Sequence, residues 1–184
     1  MFYWVAASLL IQPAVKTLIK QNFIQAYKIP SMAMSPTLFI GDHILVDKFV
    51  YKGSEPKRGD IIVFPYPGKP SLDFVKRIIG LEGDTIEIKN KQLYINGNKY
   101  IEKYITNSDP LILSPEDSPR DNYGPVTIPK GKYFVMGDNR DNSHDSRFWK
   151  FVDKSEVKGE VKSIYWSWDS KTHQVRWGRI GKSM

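Results

Sequence analysis

From Ile29 onward the chain is a succession of short runs: DHILVDKFV, DIIVFPYP, DFVKRIIG, TIEIK, QLYING, KYFVMGD and VKSIYWSW. They are rich in Val, Ile, Tyr and Phe and are cut by Gly, Pro, Asn and Asp, the residues that turn a chain between strands. Helical periodicity is weak beyond about residue 25. These runs therefore predict a mainly β protein. TIEIKNKQLYING is expected to form a hairpin turning at Asn90 and Lys91. Between Ser108 and Pro129, prolines at 110, 115, 119, 125 and 129 predict a loop or extended excursion instead of packed strands.

A chain of 184 residues, 41% hydrophobic, can bury one respectable core, with a subdomain or anchor attached. It has no cysteine, which excludes disulfides and thiolate metal sites but not a secreted location. The net charge of +7, from 27 Lys+Arg against 20 Asp+Glu, would suit an anionic partner. However, the basic residues are scattered, as at Lys48, Lys89, Lys130 and Lys158, without the stripe or recognition helix of a nucleic-acid reader. Nucleic acid is therefore not an expected partner.

Residues 1–15, MFYWVAASLLIQPAV, carry no charged side chain, and Lys16, Lys20 and Lys28 follow. Spanning a bilayer takes about 20 apolar residues, and Gln12 and Pro13 interrupt this run. It fits the end of a transmembrane anchor, an interfacial helix or a buried core helix. No Lys or Arg precedes it, which disfavours a cleavable secretory signal. The lysines that follow would keep the downstream side cytoplasmic by the positive-inside rule.

Three tempting motifs fail. His43, His144 and His173 have no spacing that gathers them on a metal. GRIGKS lacks the first glycine of a phosphate loop, with Arg176 in its place, and has no helix to follow. As a calcium loop, DNRDNSHDSR puts Arg140 at a ligand position and Ser143 where the sharp-turn glycine belongs. No metal and no cofactor are expected.

In DFVKRIIG, strand alternation sets Phe74, Lys76 and Ile78 on one face and Val75, Arg77 and Ile79 on the other. A lysine between large apolar groups is desolvated, which disfavours its charged form and can lower its pKa by up to about 3 to 5 units. Such an amine can serve as a base near neutral pH. The alternative is a lysine whose stem covers the sheet while its head stays wet. A lysine base needs a hydroxyl to activate, and Ser-Lys dyads are a known variant of the serine-protease scheme. The segment PSMAM offers the place: if Ile29–Ala33 is extended, Ser31 and Ala33 point the same way. The inner of the two is an alanine.

Three ordered blocks carry a resemblance. IPSMAMSPTLFIGDHILVDKF resembles the serine block of type I signal peptidases, P-S-x-S-M-x-P-T-L. RGDIIVF with DFVKRIIGLEGD is similar to their lysine block. GKYFVMGDNRDNSHDSRFWKFV is similar to their final signature, G-D-N-R-x-N-S-x-D-S-R. The likeness runs from about Ile24 to Trp168. It implies antiparallel sheets in the Ser-Lys protease fold, with an N-terminal membrane-associated helix over 1–24, a catalytic region over 25–184 and a small subdomain at about 84–130.

The resemblance further implies a serine endopeptidase that cleaves signal peptides from exported preproteins after Ala-x-Ala-like sites. The nucleophile falls on Ala33 and the general base on Lys76, with Ser31 in the oxyanion hole and Ser143 orienting the lysine. Asp145 and Arg147 would form a supporting ion pair, with Asp138 bracing the block. The wall of the shallow substrate pockets would come from Tyr27, Ile29, Pro30, Met34, Leu38, Ile44, Phe74 and Val75. The enzyme would be anchored in the cell membrane with its β domain on the outer side, which the lysines after the apolar run oppose. Trp166, Trp168 and Trp177 are candidates for lipid contact or for core packing.

The departure is Ala33, which has no atom to form an acyl-enzyme. In a comparable protease, loss of the nucleophile costs about a millionfold in turnover, roughly 8 kcal/mol of barrier. Ser35 follows Met34 and precedes Pro36, which restricts its backbone, so it is a poor substitute. Lys76, Ser31 and Ser143 are all kept, which makes the substitution look isolated. The competing expectation is a non-catalytic relative that binds signal peptides. A self-cleaving repressor is a third reading, but the first 28 residues are too few and too apolar for its DNA-binding domain.

Overall fold

The computed structural model describes residues 23–184, and the anchor expected over 1–24 falls, up to residue 22, outside them. The described chain is mainly antiparallel β. Its strands are β1 (Ile24–Lys28), β2 (Asp42–Asp47), β3 (Ile61–Tyr66), β4 (Lys69–Gly80), β5 (Thr85–Lys89), β6 (Gln92–Ile95), β7 (Asn98–Lys99), β8 (Tyr123–Thr127), β9 (Lys132–Met136), β10 (Val152–Asp153), β11 (Gly159–Asp169) and β12 (Gln174–Val175). A larger sheet runs β1-β2-β11-β3-β4-β9-β10, with β12 added to β11, and a smaller one runs β7-β6-β5-β8. One short α-helix, Ser146–Trp149, is capped by Asp145, whose side chain accepts from the Arg147 N–H.

The hydrophobic alternation of the sequence decides which faces meet. DHILVD buries Ile44 and Val46 completely, and they join Ile29, Met34, Leu38, Val63, Val161 and Ile164 in one cluster. Ile62, Phe64, Ile78, Tyr133 and Val135 pack on the opposite side of β3, β4 and β9. A third cluster, with Ile79, Ile86, Leu93, Ile128 and Phe134, lies under the smaller sheet. Burying each such side chain is worth about 1.5 to 3 kcal/mol. Strand β4 is the shared wall: Phe74 and Ile78 face one cluster, while Val75 and Ile79 belong to the other two.

The hairpin forms as expected. Lys89 pairs with Gln92, and Asn90 (φ 49°) and Lys91 (φ 69°) are both left-handed, as a two-residue turn of right-twisted strands requires. Two expectations are corrected. The proline-rich region is not all loop, because Tyr123–Thr127 forms β8 against β5. β8 lies at the edge of its sheet, where Pro125 costs no ladder hydrogen bond. The segment after Pro30 is not extended: Ser35 N–H donates to the Met32 carbonyl (3.0 Å) and Leu38 N–H to that of Met34 (2.8 Å), giving successive turns.

Candidate active site

The turn Ser31–Met34 and strand β4 share a groove of about 440 Å3, lined by Tyr27, Lys28, Ile29, Pro30, Ser31, Ala33, Met34, Leu72–Lys76, Asn142 and His144. Residues brought together from three distant parts of the sequence thus share one surface. Lys76 is 4% exposed, and burial pulls its amine from 10.5 down to about 8. Asp145 opposes that fall, Arg147 assists it and Asp138 opposes it, all through their charge. About a tenth of such amines are neutral at pH 7. The Lys76 Nζ also lies 5.3 Å from the centre of the Phe74 ring.

Position 33 is held from behind. Its carbonyl accepts the Asn139 N–H at 3.1 Å. Gly137 sits so close that a Cβ there would collide with both the Ala33 carbonyl and the Ser143 hydroxyl, so only glycine lets the two segments approach. The Ser143 Oγ is buried without a hydrogen-bond partner among the described residues, including Lys76. An unmade bond of this kind costs about 1 to 3 kcal/mol.

The charges around the site are paired. Asp145 is fully buried; burial opposes its ionisation, but Arg147, at 2.9 Å through both Nε and Nη2, holds its carboxyl below the usual range. Arg147 also donates to the carbonyls of Arg120 and Arg140, each at 2.7 Å. Asp138 accepts from Arg77 and from the Thr37 hydroxyl (2.5 Å), which ties the loop after the Ser31–Met34 turn to β4. Arg140 is in turn clamped by Glu102.

The matching family is described as Signal peptidase, peptidase S26, and its pattern covers residues 1–166. The chain belongs to this family. It is 38% identical to a protein named Signal peptidase I from Aquifex aeolicus, over 81% of this chain and 78% of that one. It is 36% identical to Signal peptidase I P of Bacillus subtilis subsp. natto, over 92% and 91% of the two chains. A crystal structure of a signal peptidase I from Enterococcus faecalis matches with a TM-score of 0.46 and 36% identity, over 58% of this chain and 97% of that one.

Of the residues anticipated at the family's site, Tyr27, Ile29, Pro30, Ser31, Ala33, Met34, Phe74, Val75 and Lys76 line the groove. Leu38 and Ile44 do not: both are fully buried in the cluster beneath it, because the turn after Pro30 folds Leu38 inward and Ile44 is an inward position of β2. Leu72, Asp73, Asn142 and His144 are additional lining residues. Nothing in their spacing signals this, since the contact depends on how β4 meets the loop after Met136. Trp166, Trp168 and Trp177 are exposed, not core.

Proposed function

We propose that this chain is a serine endopeptidase of the signal peptidase I type whose nucleophile position is occupied by Ala33. The observation that carries this reading is the buried, partly neutral Lys76 sharing one largely apolar groove with position 33 and Ser31.

With serine at position 33, Lys76 would take the hydroxyl proton as the oxygen attacks the carbonyl of the preprotein. The oxyanion would be met by the Ser31 hydroxyl and the N–H of residue 33, which donates to no other acceptor among the described residues. The lysine would return the proton to the leaving amine, and water, activated in the same way, would hydrolyse the acyl-enzyme. The buried Ser143 hydroxyl is the unengaged partner available to orient the amine.

Strand β4 pairs with β9 only from Arg77 onward, so its stretch from Lys69 to Lys76 has β3 on one side and an open edge on the other. An extended preprotein segment can add to that edge, its alternate side chains entering the groove. Apolar walls from Ile29, Met34, Phe74 and Val75 suit small residues such as alanine. We assign the protein to the cell membrane, anchored by its N-terminus with the catalytic domain on the extracytoplasmic side and Trp166, Trp168 and Trp177 against lipid. Among the described residues no helix is long and apolar enough to cross a membrane.

Ala33 itself favours a second reading, a non-catalytic protein that holds signal peptides in the same groove. The deciding experiment is Ala33→Ser, assayed on an Ala-x-Ala preprotein with lipid or detergent. Cleavage at the junction is expected, and its absence, with the peptide still bound, would favour the second reading.

A further inference from the structure

Asn139, 5% exposed, takes hold of the turn that carries position 33. Its backbone N–H reaches the Ala33 carbonyl (3.1 Å), and its side-chain Nδ2 reaches the Met32 carbonyl (3.3 Å). Its Oδ1 accepts from Asn142 Nδ2 at 3.1 Å, and because a carbonyl oxygen only accepts, the end of the amide that faces Met32 is the NH2. Asn142 is in turn bonded to the Ser108 hydroxyl (2.9 Å). The Met32 oxygen also receives the Ser35 N–H at 3.0 Å, so two donors hold it from two directions.

The consequence follows from peptide geometry. The Met32–Ala33 bond is trans, so the plane that points the Met32 oxygen at Asn139 points the Ala33 N–H the opposite way. Ala33 lines the groove, and that N–H donates to no acceptor among the described residues. Its direction is therefore set by the grip on the carbonyl behind it.

We propose that Asn139 is a positioning residue for the oxyanion hole: through the Met32 carbonyl it aims the N–H of residue 33 at the substrate oxygen. This rests on the endopeptidase reading above. The donor matters only when negative charge develops on that oxygen, so the loss should fall on the transition state and spare ground-state binding.

The test uses the Ala33→Ser chain with Asn139→Asp, which keeps the size and the Oδ1 acceptor but replaces the donor by a second acceptor, and with Asn139→Leu. A displaced oxyanion donor should lower kcat by about 10- to 100-fold. KM for an Ala-x-Ala peptide, and the affinity for a non-covalent product peptide, should stay within about twofold. Affinity for the corresponding peptide aldehyde should fall in parallel with kcat. In that adduct the serine oxygen bonds to the aldehyde carbon, its proton passes to Lys76, and the former carbonyl oxygen enters the hole. An unchanged kcat, or losses of KM and product-peptide affinity in step with kcat, would overturn the proposal.

Should both variants fail to fold, a second measurement decides. In the unsubstituted chain, an NMR coupling across the hydrogen bond from the Asn139 side-chain nitrogen to the Met32 carbonyl carbon is expected, and its absence overturns the proposal. If Ala33→Ser cleaves nothing, the endopeptidase reading fails, and the coupling still decides whether Asn139 holds Met32.

Discussion

Arg77 grips Asp138 with two parallel bonds, Nε at 2.9 Å and Nη2 at 2.7 Å, one residue along β4 from Lys76 and on the opposite face of the strand. The pair ties the strand that bears Lys76 to the segment that backs position 33. Arg77→Ala leaves the Asp138 carboxylate buried without its charged partner, held only by the Thr37 hydroxyl, a loss worth about 3 to 5 kcal/mol. Urea unfolding should show a lower midpoint with little change in slope. Arg77→Lys should recover only part of it, because an ammonium cannot make the planar two-bond fork.

The acid limb of activity should report Lys76. In the Ala33→Ser chain, kcat/KM is expected to rise with pH as the amine loses its proton, with half the maximum near pH 8. Lys76→Ala should remove turnover while leaving peptide affinity near its starting value. A profile whose acid limb lies near pH 4 would mean that a carboxylate, not Lys76, is the base.

Lys76 should also cost stability in a pH-dependent way. Its folded value, about 8, is depressed from 10.5, so between these values the unfolded chain binds more protons and stability rises with pH. Its contribution is intact above 10.5 and is lost as pH falls to 8, below which the buried charge costs up to about 3 kcal/mol. Lys76→Met is thus expected to raise the Tm at pH 7, and the gain should shrink as pH approaches 10.5. A gain that does not vary with pH would point to packing alone.

Gly137→Ala should damage the site from behind. The added methyl would meet the Ala33 carbonyl, a backbone atom with no rotamer to escape into, as well as the Ser143 hydroxyl. Overpacking of this kind costs about 1 to 3 kcal/mol. In the Ala33→Ser chain, activity should fall further than the stability loss alone predicts, because the turn carrying position 33 must shift.

Much of this was legible locally. The alternation of DFVKRIIG put Lys76 with Phe74 and Ile78 and against Val75 and Ile79, and the clusters divide in that way. Asn-Lys between two short alternating runs marked its hairpin, since turn chemistry acts over a few residues. The ordered serine, lysine and G-D-N-R blocks identified the family. What local pattern could not supply was the path after Pro30, where tertiary hydrogen bonds turn a chain that alternation would leave extended. The resemblance had implied Leu38 and Ile44 in the pocket wall, whereas both lie in the core beneath it, because apolar residue type alone does not distinguish the two places.

The sequence by itself determined the family, most of the strands and their faces, because these depend on periods of two residues and on ordered residue types. Only the tertiary structure decided that Lys76 is buried enough to fall to about 8, that Gly137 must lack a side chain, and that Asn139 holds the backbone behind position 33. Those properties arise where segments distant in the chain touch, Met32 and Asn139 being about a hundred residues apart, and desolvation and close approach exist only once the chain has closed around them.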